Sequence, residues 1–170
     1  MAVEQRLVVL VTGMSGTGKS AALAELGRRG HRVVDTDGPG WIVHADTPDG
    51  PEPVWDLDRI GALLDDHDEG WLFISGCVAN QGVLYDRFDA IVLLSAPIEV
   101  ILARVAGRAN EFGSQPEDRA KIASDLAAFE PLLRAGANVE IATTMPVAEV
   151  VAKLEQLAAS RGNRARHRLQ

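Results

Sequence analysis

Short apolar runs alternate along most of the chain with segments that have helical periodicity. Residues 6–11, 31–34, 71–74, 90–94 and 138–142 have the composition of buried strands. Helices are predicted at 20–29, 56–64, 97–106, 116–134 and 146–159. Pro131 is expected to bend or end the fourth helix. Because alternating strands and helices favour parallel pairing with right-handed crossovers, the pattern predicts a three-layer α/β domain with about five strands.

Two stretches fall outside this alternation. Residues 35–53 are rich in glycine, proline and aspartate, and they are predicted to form a long loop. Residues 161–170 contain four arginines and no acidic residue, and they are predicted to form a basic, flexible tail. The chain is therefore expected to consist of one domain, residues 1–160, followed by this tail.

Composition and charge narrow the functional classes. The hydrophobic fraction of 46% and the charged fraction of 24% are ordinary for a soluble globular protein, and no apolar run is long enough to span a bilayer. Residues 1–160 carry 13 basic and 24 acidic side chains, which argues against nucleic acid as the main partner. The single cysteine, Cys77, excludes an internal disulfide. With no recognisable signal peptide, these features predict a cytoplasmic protein.

The segment after the first predicted strand has the spacing of a phosphate-binding loop. It matches G-x-x-x-x-G-K-[S/T] at every position, with Gly13, Met14, Ser15, Gly16, Thr17, Gly18, Lys19 and Ser20. Glycines let backbone N–H groups turn towards an anion, and the following helix directs its N-terminal dipole at the phosphates. The lysine would bind phosphate oxygens and the serine hydroxyl would ligate Mg²⁺. The motif predicts binding of ATP with magnesium.

Two carboxylates follow the second predicted strand. Asp35 and Asp37 are expected at the carboxyl edge of the sheet beside the loop, where ligands of doubly wound folds bind. One could hold a metal-bound water and the other could orient an acceptor hydroxyl, although an Asx turn would use the same residues. The chain has no N-K-x-D guanine-binding motif and is too short for the further modules of a motor ATPase.

With these motifs, the sequence resembles the small P-loop kinases, namely the shikimate, gluconate and adenylate kinases. The resemblance rests on GMSGTGKS at 13–20, VVDTD at 33–37 and LARVAGR at 102–108. It implies a P-loop NTPase fold with a short lid. It also implies that Asp35 serves the metal with Ser20 and that Asp37 serves the acceptor.

The resemblance extends to the presumed lid and to the base-binding segment. It implies that Arg104 and Arg108 face the ATP phosphates, that residues 109–117 form the short lid, and that Arg119 closes onto the γ-phosphate. Residues 141–151 resemble the strand, loop and helix that shelter adenine in these families, which implies that Thr143 contacts the nucleotide.

Two positions depart from the family pattern. Ser75 ends the third predicted strand, where adenylate-kinase-like enzymes have an aspartate, so either Asp35 takes over the metal's outer shell or metal affinity is weaker. The Gly-Gly-Gly run of shikimate kinases is also missing, and Asn80 and Gln81 follow in its place. These two amides are candidate acceptor ligands, and a capped turn is the alternative.

Residues 38–70 correspond to the acceptor-binding insertion of these kinases. The insertion contains Trp41 and Trp55, which could stack on an acceptor or pack against the body of the domain. Arg59 is its only basic side chain besides two histidines, and acidic residues are numerous. Because such a region repels anions, we expect a neutral or cationic acceptor that carries a hydroxyl group.

The sequence therefore predicts a phosphotransferase that moves the γ-phosphate of MgATP to a small molecule. Two alternatives are an adenylate-like nucleoside monophosphate kinase and an ATP-binding regulatory protein that hydrolyses ATP slowly; Ser75 favours the second. The expected partners are ATP and a small-molecule acceptor, with no membrane, and the protein is expected to be a monomer or a homodimer.

Overall fold

The computed structural model describes residues 5–107 and 115–168, which form an α/β domain. The strands are β1 (Leu7–Thr12), β2 (Arg32–Asp35), β3 (Ile42–Thr47), β4 (Gly50–Trp55), β5 (Trp71–Ser75), β6 (Ala90–Ser95) and β7 (Val139–Ala142). The helices are α1 (Lys19–Arg28), α2 (Leu57–Asp66), α3 (Ile98–Ala106), α4 (Pro116–Gly136) and α5 (Val147–Arg168), and a 3₁₀ helix covers Gln81–Arg87.

A five-stranded parallel sheet forms the middle layer, with the strand order β2-β5-β1-β6-β7. Every residue of β1 and β6 is buried, as expected for apolar strands covered on both faces. On one face the sheet packs against α1 and α5, and on the other it packs against α2 and the end of β4. The predicted three-layer α/β fold is confirmed.

The sheet order brings the candidate site to one edge. The carboxyl ends of β1, β2 and β5 are adjacent, because β5 pairs in parallel with both of the other strands. In this register Ser75 lies between Val11 and Asp35. The phosphate-binding loop therefore leaves the sheet beside the strand end that carries the two aspartates.

The prediction of a long loop at 35–53 is wrong. This region contains the antiparallel hairpin β3-β4, which is a separate two-stranded sheet. Its two-residue turn, Pro48-Asp49, is followed by Gly50 with φ of 109°. Pro-Asp-Gly between two segments is a turn signal, and the high glycine and proline content obscured it.

Two helices are longer than predicted. Pro131 lies inside α4 and does not end it. Because proline has no N–H, the carbonyl of Ala127 loses its helical hydrogen-bond partner. Ala127 and Pro131 are both exposed, so water can bond that carbonyl instead. Helix α5 continues to Arg168, so residues 161–168 of the predicted tail are helical. The predicted lid lies mostly outside the described residues.

No helix within the described ranges is long and apolar enough to cross a membrane.

Candidate active site

The phosphate-binding loop joins β1 to α1 and depends on glycine backbone geometry. Gly16 and Gly18 have φ of 84° and 98°, a left-handed region that side chains with a Cβ rarely adopt. Gly18 is the N-cap of α1, and no side chain caps this helix end. The first N–H groups of α1 and its dipole are therefore directed at the space above the loop, as an anion site requires.

Lys19 lies under this loop and is buried. Its Nζ donates hydrogen bonds to the carbonyl oxygens of Gly13, at 2.6 Å, and Met14, at 3.2 Å. The ammonium group is thus held against the backbone of the loop. Its binding of phosphate oxygens stays a prediction of the motif.

Ser20 and Asp35 meet although 15 positions separate them. The Ser20 hydroxyl donates a 2.9 Å hydrogen bond to Oδ2 of Asp35, while Oδ1 of the same carboxylate accepts the N–H of Asp37 at 3.0 Å. Since Ser20 uses its proton in this bond, its oxygen lone pairs remain for a cation. Hydroxyl and carboxylate oxygens are ligands that Mg²⁺ prefers, so this pair fits a magnesium ion shared with nucleotide phosphates.

Ser75 lies beside this pair and is fully buried. Its hydroxyl oxygen has no hydrogen-bond partner within the described part of the chain. No carboxylate stands at this strand end, and the described residues contain no group of three or more histidine, cysteine, aspartate or glutamate side chains arranged for a metal. A cation here would depend on Ser20, Asp35, phosphate oxygens and water.

A cavity of about 690 Å³ opens above the loop, a volume typical of small-molecule sites. It is lined by the loop and the start of α1, by one carboxylate and one thiol, and by residues near α3 and α5: Met14, Ser15, Gly16, Gly18, Lys19, Ser20, Ala21, Asp37, Cys77, Arg104, Thr143, Met145, Val147 and Val150. The structure thus brings most of the predicted nucleotide residues and Asp37 to one cavity.

Arg104 and Thr143 connect three elements around this cavity. The Arg104 guanidinium donates to the carbonyl oxygen of Gly16 at 3.2 Å, to the Thr143 hydroxyl at 3.0 Å and to the Thr143 carbonyl. The Thr143 hydroxyl in turn donates to the carbonyl of Thr17 at 2.7 Å. Arg104 lines the cavity, but the bonds it makes hold the phosphate-binding loop to the segment after β7.

Trp55, Asn80 and Gln81, expected at the acceptor, have their polar groups engaged inside the protein. The buried Trp55 indole donates to the Thr36 hydroxyl at 2.8 Å. Asn80 accepts the backbone N–H of Trp55 and donates to its carbonyl, at 2.9 and 3.0 Å. The structure differs from the expectation here, because these side chains satisfy buried groups and none lines the cavity.

Gln81 is likewise buried and saturated. Its amide nitrogen donates to the hydroxyls of Thr12 and Tyr85, and its amide oxygen accepts the N–H of Val78. The turn after β5 is therefore fixed to the end of β1, immediately before the phosphate-binding loop. A capped turn, which was the alternative for the two amides, describes this arrangement.

The exposed Arg59 lies over Trp41, which is half-buried and packs against the core. The Arg59 guanidinium lies 5.3 Å from the centre of the Trp41 ring and against Gly40. Neither side chain lines the cavity, and both remain candidates for acceptor contact. Arg119 is exposed in the first turn of α4, also away from the cavity lining, and Arg108 lies outside the described residues.

Cys77 is a cavity-lining residue that the sequence analysis did not include among the candidate site residues. It lines the cavity, and burial raises the pKa of its thiol, with Lys19 opposing and Asp37 adding to this effect. Its position two residues after β5, at the carboxyl edge of the sheet where ligands bind, could have identified it as a site residue from the sequence.

Similarity to solved structures supports the fold. Shikimate kinase from Acinetobacter baumannii in complex with shikimate is 18% identical, with a TM-score of 0.62 over 92% of this chain and 95% of that chain. A gluconokinase from Sinorhizobium meliloti 1021 is 22% identical, with a TM-score of 0.57 over 92% and 96%. An unliganded sugar kinase from Janibacter sp. HTCC2649 is 20% identical, with a TM-score of 0.54 over 88% and 92%.

No curated protein sequence matches this chain significantly. A family profile described as an AAA domain, in contrast, matches residues 9–123, which is more than half of the chain and includes the phosphate-binding loop, Asp35 and Asp37. The chain therefore belongs to this AAA domain family and has the fold of P-loop small-molecule kinases.

Proposed function

We propose that the protein is a cytoplasmic, ATP-dependent phosphotransferase that moves the γ-phosphate of ATP to a hydroxyl of a small molecule. The observation that carries this proposal is the bond between Ser20 and Asp35 beside a cavity that Asp37 also lines. Ser20 and Asp37 both line this cavity, so a phosphate site at the loop and a second carboxylate would share one space. Hydrolysis alone does not require the second carboxylate at this position.

In this proposal the chain acts mainly by positioning and by charge. Loop N–H groups and Lys19 hold the β- and γ-phosphates, which stabilises the charge that spreads over the transferred group. Ser20 and Asp35 would hold a magnesium ion, and that ion would neutralise phosphate charge when bound. Asp37 orients the acceptor hydroxyl and accepts its proton.

The remaining arginines have different proposed roles. Arg104 keeps the phosphate-binding loop and the segment after β7 in register through its bonds to Gly16 and Thr143. The segment after β7, which contains Thr143, is proposed to shelter the nucleotide base. Arg108 and Arg119 are proposed to approach the phosphates when a lid closes.

A neutral or cationic hydroxyl compound is the proposed acceptor class. Asp37 brings negative charge to the cavity wall, and the hairpin β3-β4 carries the exposed Asp46, Asp49 and Glu52. An anionic acceptor would need a further cation near Asp37. Lys19 and Arg104, the cations of the cavity lining, donate to loop carbonyls, and Arg59, the only arginine or lysine in residues 38–70, lies over Trp41. Two structural neighbours are named as a gluconokinase and a sugar kinase, so sugars are natural first compounds to test.

A second candidate is an ATP-binding regulatory protein with slow hydrolysis. The buried, uncharged Ser75 favours it, because the strand end next to Asp35 contributes no second carboxylate to a metal site. This candidate needs no acceptor.

Release of ADP from MgATP, measured against an acceptor panel, tests the proposal. The panel contains sugars, aminocyclitols, hydroxy acids and nucleoside monophosphates, with water alone as the baseline and Lys19→Ala as the control. A large increase by one acceptor class, lost in Lys19→Ala, supports a kinase and names the class. ATP binding with no increase over water favours the regulatory candidate, and selective use of a nucleoside monophosphate overturns the proposed acceptor class.

A further inference from the structure

The hairpin β3-β4 has two outer edges that differ in their ability to pair. Strand β4 contains Pro51 and Pro53, opposite Asp46 and His44 of β3. Since proline has no N–H, these two pairs cannot exchange both hydrogen bonds, which identifies them as the non-hydrogen-bonded pairs of the ladder. The prolines therefore face outwards on β4, where edge strands tolerate them.

The backbone of Trp55 supports this assignment independently. Its N–H and carbonyl both bond to the Asn80 side chain, so they point away from β3. In an antiparallel ladder, outward-facing residues alternate, and Trp55, Pro53 and Pro51 are spaced by two. The outer edge of β4 is thus closed to pairing with another strand, because the Asn80 amide occupies the backbone of Trp55 and the two prolines have no N–H to donate.

The outer edge of β3 has no such protection. By the same alternation, His44 and Asp46 direct their backbone N–H and carbonyl groups outwards. None of the hydrogen bonds found among the described residues reaches across this edge, and no proline lies in β3. Both residues and Val43 are exposed, with Val43 at 45%. An unprotected strand edge is a template for pairing with another strand.

The charges along β3 match those of an antiparallel copy of the same strand. Pairing about a two-fold axis at Ala45 places His44 of one copy opposite Asp46 of its partner, twice. These residues present outward backbone groups, so each of the two pairs can exchange both hydrogen bonds. Ala45, which is small, would face its own copy at the axis, and Val43 would face Thr47. An imidazole N–H can donate a hydrogen bond to the carboxylate directly opposite, and a protonated imidazole also forms an opposite-charge pair with it, which stabilises pairing across strands.

We propose that β3 is a self-association edge, through which two copies of the chain form an antiparallel, four-stranded sheet. The charge match favours a second copy over an unrelated peptide. Because each copy contributes one short strand, the interface belongs to the small, transient class, and we expect a dissociation constant between about 10 µM and 1 mM. The inference does not depend on the proposed enzymatic function.

Sedimentation velocity over a concentration series from about 1 µM to about 1 mM tests the proposal. The wild-type chain should shift from monomer to dimer. His44→Pro removes an outward N–H and the imidazole that faces Asp46 of the second copy, but no bond to β4, so it should weaken the dimer at least about tenfold while the melting temperature stays the same. Ala45→Pro is the matched control, because it removes an N–H that faces β4 and should lower the melting temperature instead.

Charge exchange distinguishes pairing in this register from any other contact. His44→Asp and Asp46→His should each weaken the dimer, and the double variant should restore it, since it recreates the opposite pair with its charges exchanged. A wild-type chain that stays monomeric at every concentration overturns the proposal. So does a dimer that His44→Pro and the single exchanges leave unchanged, because that dimer would use another face.

Discussion

Replacing Asn80 with alanine removes the two hydrogen bonds that hold the backbone of Trp55. The indole of Trp55 is almost fully buried, so the released N–H and carbonyl lie at the boundary of the core. Each backbone group left without its partner costs about 1–2 kcal/mol, which gives a loss of about 2–4 kcal/mol in the free energy of unfolding. For a chain of this length, the melting temperature should fall by about 5–12 °C.

Thermal unfolding followed by circular dichroism measures this effect, and the neighbouring, exposed Ala79 provides the control. Ala79→Ser should leave the melting temperature within about 2 °C of the wild-type value. If Asn80→Ala is as stable as the wild-type chain but binds an acceptor more weakly, the structural role is refuted. Asn80 would then be the acceptor ligand that its position in the sequence suggests.

Three further predictions concern the metal, the thiol and acid stability. Asp35→Asn should weaken the magnesium dependence of nucleotide binding by about 10–100-fold, and titration calorimetry with a non-hydrolysable ATP analogue measures this. Asp37→Asn should leave that dependence unchanged but lower turnover, which is measured as ADP release. Because burial raises the pKa of the Cys77 thiol, its alkylation should be slow at neutral pH and accelerate as the pH rises. Nucleotide bound in the shared cavity should block the alkylation. Equal alkylation rates with and without nucleotide would exclude this position for the thiol. The hydrogen bond from Arg134 lowers the pKa of the Glu140 carboxyl below its ordinary value. The ionised carboxylate therefore contributes to stability at neutral pH, and this contribution is lost as the pH falls through the folded-state pKa. Acid unfolding of Glu140→Gln should lack this pH-dependent loss of stability.

The parts of the fold that depend on local chemistry could be predicted from the sequence. The phosphate-binding loop is defined by glycine backbone freedom and by one lysine, and both are visible in eight consecutive residues. The buried strands of the sheet could be found because apolar runs report burial on both faces. The position of Asp35 beside the loop followed from the rule that ligands bind at the carboxyl edge of a parallel sheet, and its pairing with Ser20 followed from the resemblance to the P-loop kinases.

Other features depend on contacts between distant segments. Asn80 and Gln81 suggested ligand binding because the sequence does not reveal which groups two adjacent amides will bond. Asn80 bonds the backbone of Trp55, 25 positions away, and Gln81 bonds Thr12, 69 positions away. The hairpin was hidden by its own prolines, which usually argue against strands but are tolerated on an outer edge. Helix α4 continues through Pro131 because its surface is exposed there, which the residue type alone does not reveal.

The central claim is that the γ-phosphate of ATP reaches an acceptor hydroxyl in the cavity beside Lys19 and Asp37. Phosphorus NMR of a reaction with MgATP and the best acceptor of the panel tests it most directly, because it separates a phosphate ester from inorganic phosphate. The account predicts a new phosphomonoester resonance that grows together with ADP and is absent with Lys19→Ala. Inorganic phosphate as the only product, at the same rate with and without each acceptor, would contradict it.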